Sequence, residues 1–92
     1  MNYRQEIIDN IEFILEAVRN SLPPSNVVSA IELLEHDEWG ETLSLICTQL
    51  YEYDIPVNIS VYNKIKETGL VMDIDPKEWE QLRGLIQTKP DP

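Results

Sequence analysis

The sequence predicts an all-α domain, a compact bundle of about five short helices. Two observations carry that reading: apolar residues recur at steps of three and four in successive segments, and prolines or capping residues punctuate the joints between them. With 92 residues, 42% apolar and 26% charged, the chain is sized for a single domain spanning its whole length. Area scaling gives a folded surface of about 5,500 Å² against about 15,500 Å² unfolded, so roughly 64% is buried around one core.

Over residues 2–22, Ile7, Ile11, Ile14, Leu15, Val18 and Leu22 form a helical stripe that Pro23-Pro24 must end. Ser25 then stands where an N-cap is wanted, and Val27, Ala30, Ile31 and Leu34 define one face of a second helix running to the polar His36-Asp37 joint. A third helix over 38–53 aligns Trp39, Leu43, Ile46, Cys47, Leu50 and Tyr51 on one broad face and is expected at the centre of the core. Residues 54–59 read as extended, because Pro56 lacks a donor and pushes Ile55 away from helical angles. Ser60 is a plausible N-cap for a fourth helix carrying Val61, Ile65 and Met72 on one face, with Gly69 marking its C-terminal turn. Asp75-Pro76-Lys77-Glu78 supplies an N-cap, a proline at the first helical position and a capping glutamate, opening a fifth helix with Trp79, Leu82 and Ile86. Residues 88–92, with two prolines and no apolar side chain, read as a frayed tail.

Seventeen Asp and Glu against seven Lys and Arg give a net charge of −10, which argues against nucleic acid or an anionic membrane as ligand. Between Arg19 and Lys64 there is no Lys or Arg, and Glu32, Glu35, Asp37, Glu38, Glu41, Glu52 and Asp54 all fall in that window. The second and third helices therefore carry most of the excess, and a charged partner is expected to be basic. On the third helix Glu38, Glu41 and Glu52 lie within about 60° of each other with Leu45 among them. This arrangement suits a binding surface; equally, a central helix packs on two sides, making Leu45 core and the carboxylates its solvated margin. Phe13 falls about 120° from the centre of the first stripe, as an exposed anchor or as a side chain packed on a neighbouring helix.

Little supports catalysis. A lone cysteine and a lone histidine, Cys47 and His36, have no orienting signature, and Cys47 belongs to the apolar face. His36 between Glu35 and Asp37 reads as a solvated helix end. Asp73, Asp75 and Glu78 lack calcium-loop spacing and are explained by capping. Three glycines cannot write a phosphate-binding fingerprint. Neither metal nor cofactor is expected, and no enzyme activity. A single cysteine, no leader pattern and no long apolar run point to the cytoplasm.

Residues 33–82 resemble the immunity proteins of bacterial polymorphic-toxin and contact-dependent inhibition systems, particularly the MafI family. The resemblance is carried by Leu33-Leu34-Glu35-His36-Asp37-Glu38-Trp39-Gly40 leading into Leu43 and Cys47. It continues in Leu50-Tyr51-Glu52-Tyr53-Asp54-Ile55 and in Tyr62, Ile65, Gly69, Met72, Asp75 and Trp79. It implies a small cytosolic protein that binds and neutralises the C-terminal effector domain of a cognate toxin, often a nuclease. A nuclease presents a basic cleft, which a cluster of carboxylates can occupy. The expected partner surface is accordingly Glu32, Glu35, Asp37, Glu38, Glu41, Leu45, Glu52, Tyr53 and Asp54, with Tyr53 the first choice of anchor and Tyr51 and Trp39 also candidates. The alternative from another class is an acidic helical adaptor or oligomerisation module without catalytic activity, its acidity serving solubility.

Overall fold

The computed structural model describes residues 3–87. The chain runs α1 (Tyr3–Val18), α2 (Pro24–Glu35), α3 (Trp39–Glu52), β1 (Val57–Asn58), α4 (Ile59–Val71), α5 (Lys77–Glu80) and β2 (Ile86–Gln87), with 3-10 turns at Arg19–Ser21 and Arg83–Leu85. This is the all-α bundle that the spacing predicts, with one addition. The extended segment after α3 pairs in parallel with β2, Val57 opposite Ile86 and Asn58 opposite Gln87. The tail assigned to residues 88–92 lies outside the described residues.

Helix α3 packs against α1, α2, α4 and α5, while α1 rests chiefly on α4 and α2 chiefly on α3. Its Leu43, Ile46, Cys47 and Leu50 are buried, as are Ile7, Ile11, Ile14, Leu15 and Val18 of α1. Each such aliphatic side chain contributes about 1.5–3 kcal/mol by leaving water. Two buried threonines join this core without an unmet hydroxyl, because Thr42 donates to the Glu38 carbonyl and Thr68 to the Lys64 carbonyl one turn back. The radius of gyration, 12.5 Å, agrees with the roughly 12 Å expected of a packed chain this long.

The helix starts differ from those expected at Ser25 and Ser60. Helix α2 begins at Pro24 with Pro23 in the cap position, so the proline pair, which stands beyond the 3-10 turn that follows α1, opens α2 with a preset φ. Helix α4 is capped by Asn58, whose carboxamide oxygen accepts from the Val61 N–H at 2.8 Å and from the Ser60 hydroxyl at 3.0 Å. At α5 the Asp75 carboxylate accepts from the Lys77 N–H at 3.0 Å, but Glu78 does not complete the capping box. Its carboxylate takes the Ser44 hydroxyl of α3 at 2.9 Å instead. The helix lasts one turn, and Ile86, expected on it, lies in β2.

Helices α2, α3 and α4 end in one way. The residue three past the helix donates its N–H five residues back: Glu38 to Leu33, Ile55 to Leu50, and Ile74 to Gly69. The residue before it, Asp37, Asp54 or Asp73, sits at a positive φ of 61°, 51° or 56°. This is the Schellman arrangement, in which glycine ordinarily holds the left-handed position. Aspartate is there three times; Gly69 lies in the last turn of α4, as its position implied, and the left-handed residue is Asp73.

Gly69 has another task. It is buried inside α4, and a Cβ at this position would stand 2.2 Å from one ring carbon of Trp79 and 2.6 Å from the next. The indole of Trp79, only 2% exposed, lies directly against this bare backbone. Gly69→Ala must displace a buried ring, an overpacking cost of about 1–3 kcal/mol that outweighs the roughly 1 kcal/mol helix-propensity gain. At Gly84 an added Cβ meets nothing within 4 Å, and Ala should stabilise by about 0.4–1 kcal/mol. Urea unfolding of the two variants should therefore move the midpoint in opposite directions; a midpoint that rises for both would dismiss the Trp79 contact. Asp73→Gly should raise stability by about 0.5–1 kcal/mol, since it relieves left-handed strain and removes a negative charge from a helix C-terminus. A lowered melting temperature would contradict that account.

Candidate partner-binding surface

The turn from α2 to α3 is where the acidic residues gather most closely. Because the chain reverses within His36, Asp37 and Glu38, the joint and the first turn of α3 bring Asp37, Glu38 and Glu41 together. Asp37, Glu38 and Glu41 line a shallow groove of about 540 Å³ there. Its apolar wall is Ile7, Trp39, Val71, Met72 and Ile74, and α4 contributes a fourth carboxylate, Asp73. Asp73, Tyr3 and Met72 were missed in the sequence because they reach this rim only through the packing of α4 on α1. Tyr3 is tied there by its hydroxyl, which donates to the Val71 carbonyl.

Arg4 is the cation of this neighbourhood. One of its guanidinium nitrogens lies 3.0 Å from both carboxylate oxygens of Asp37, and its guanidinium sits 5.7 Å from the Trp39 ring centroid. Both partners of the ion pair are more than half exposed, so the pair adds little to stability. Trp39 itself is half-buried against the core. Its ring N–H is shielded from solvent and meets no acceptor among the described residues, at a cost of about 1–3 kcal/mol.

The rest of the expected surface is spread along the two helices. Glu32 and Glu35 are exposed on α2. Glu52, Tyr53 and Asp54 lie at the far end of α3, about 20 Å from Glu38 by helix rise. Tyr53 is 55% exposed and Tyr51 52% exposed, so Tyr51 leaves the apolar face to which its spacing assigned it. Leu45 is half-buried and packed against the core, so the two-sided packing of α3 claims most of it. Phe13 does not pack away: it stays 48% exposed, with the Lys64 ammonium 5.9 Å from its ring centroid. Of the seven carboxylates between Arg19 and Lys64, only Asp37 meets a cation among the described residues.

Cys47 is fully buried, and its thiol is pushed up to about 12, first by loss of solvent and then by the nearby Glu78 carboxylate. His36 is an exposed helix end, as its position implied. No group of three His, Cys, Asp or Glu among the described residues is placed to hold a metal ion, and no described helix is long and apolar enough to cross a membrane. Comparison with protein-family models, with curated proteins and with solved structures finds no match. Since the thiolate is both disfavoured and enclosed, a thiol reagent at pH 8 should label Cys47 only as fast as the protein unfolds, and at once in urea. Rapid labelling of the native protein would show that the core opens locally at α3.

Proposed function

We propose that the protein is an immunity protein, which binds and neutralises the effector domain of a cognate toxin, a basic nuclease of the ribonuclease class. The observation that supports this most is the α2–α3 turn, where Asp37, Glu38, Glu41 and Asp73 surround an apolar groove. Such a surface combines the two things capture of a basic protein requires. The carboxylates, all but Asp37 without a cation partner among the described residues, steer the encounter, and desolvated apolar contacts with Trp39 and Met72 slow the release. The resemblance of residues 33–82 to MafI-type immunity proteins supplies the identity of the partner, and the charge pattern supplies its sign. In this reading the protein acts by occlusion in the cytoplasm, where carboxylates stand in for the phosphates that a nuclease cleft is built to attract.

The test is binding to the toxin effector domain encoded beside the protein, measured in low and high salt. The association rate should fall as salt rises, and the combined variant E38Q/E41Q/E52Q/D54N should weaken the complex by roughly tenfold or more and flatten the salt dependence. Unchanged affinity would move the interface off this surface. Failure to bind that domain at all, together with a defined homodimer, would bring forward the adaptor or oligomerisation module.

A further inference from the structure

A second groove lies between α1 and α2, and it has a different origin. Both helices pack on α3 but scarcely on each other. The apolar face of α2 is therefore only partly covered: Val27 and Ala30 are buried, whereas Ile31 and Leu34 remain half-exposed. Together with Ile8 and Leu15 of α1 they floor an open groove of about 730 Å³, with Phe13 at its lip. Along α1 it runs from Ile8 to Arg19, about 17 Å at 1.5 Å per residue, the length of three helical turns.

The walls decide the occupant. Asp9, Glu12 and Glu16 stand along one side and Glu35 on the other. The one cation among the lining residues, Arg19, is already 3.5 Å from Glu16. Neither Glu12 nor Glu35 has a cation partner among the described residues. A second copy of this chain brings the same charge of −10 and would be repelled. An apolar strip flanked by carboxylates matches a helix with leucine-like anchors at three- and four-residue steps and lysine or arginine on either side of them.

We propose that the groove between α1 and α2 is a docking site for a basic amphipathic helix of a partner protein. It is separate from the α2–α3 turn, and the proposal does not rest on the immunity reading. The half-exposed Phe13, which Lys64 approaches from α4, is its aromatic anchor. The carboxylates of α1 and Glu35 fix the direction and sign of what binds.

The probe is a leucine–lysine amphipathic peptide of about 14 residues, some 21 Å when helical, titrated into isotopically labelled full-length protein. A leucine–glutamate peptide of the same pattern serves as control. Amide shifts should concentrate on residues 8–19 and 31–35, with no response to the glutamate peptide. F13A and E12K/E35K should each weaken binding by roughly tenfold, while E41K/E52K, with the same change in net charge, should stay within about twofold. Four results would each overturn the proposal: no saturable binding, shifts centred on the α2–α3 turn, equal binding of the glutamate peptide, or equal weakening by E41K/E52K. Because toxin binding in the proposed function depends on Glu41 and Glu52, and peptide docking on Glu12, Glu35 and Phe13, the two readings fail separately.

Discussion

The indole of Trp79 lies against the bare backbone of Gly69, and everything after α4 depends on that contact. A buried tryptophan carries the largest apolar area a side chain can offer, but it can be spent here only if the opposing helix presents no Cβ. With the ring seated, the short α5 is fixed between α3 and α4, Leu82 enters the core, and Ile86 is delivered alongside Val57 to form the parallel pair. The Ser44 hydroxyl on the Glu78 carboxylate holds the same turn to α3 from the other side. A one-turn helix and two-residue strands are not stable alone. They persist because a single close approach positions all of them.

The helix ends show the opposite preference, a departure from the most stable choice. Aspartate at a left-handed position strains the backbone, and its charge opposes the negative end of the helix dipole. The protein does this at α2, α3 and α4 alike. Each substitution of glycine by aspartate adds a carboxylate to the surface; Asp37 and Asp73 both lie on the rim of the groove at the α2–α3 turn. Stability given up three times at equivalent positions in favour of negative charge accords with a surface whose charge matters to its role. Only Asp37 recovers part of that loss, through Arg4.

Much of this fold was legible in the sequence, and the misses have physical reasons. The stripe of α1 from Ile7 to Val18 and the face of α3 from Leu43 to Leu50 were readable because both are buried, so periodicity alone assigns them. Tyr51 and the exposed parts of Ile31 and Leu34 were not, since a helical stripe names an apolar face without saying how far a neighbour covers it. Ser25 and Ser60 looked like caps, yet proline geometry and an asparagine two residues earlier took those roles. Gly69 falls in the last turn of α4, as expected, but its contact with Trp79 spans ten residues of sequence and leaves no local trace. Of the acidic surface, the carboxylates were legible as a lysine-free window. Their grouping with Asp73 and Met72 was not, because it arises from the packing of α4 on α1.

The distribution of cations sharpens what that surface can do. Arg19, Lys64 and Arg83 are each engaged three residues away along the chain, by Glu16, Glu67 and Glu80. Pairs of this kind neutralise charge locally and extend no compensating field to α2 or α3. At physiological salt the Debye length is about 8 Å, so carboxylates on those helices feel little of cations engaged on another face. The excess negative charge therefore acts where the sequence concentrates it, along two helices that also expose apolar ground at the α2–α3 turn and between α1 and α2. Charge that attracts at long range and apolar ground that adheres at short range lie on the same elements, and the proposed capture of a basic partner rests on that coincidence more than on the net charge.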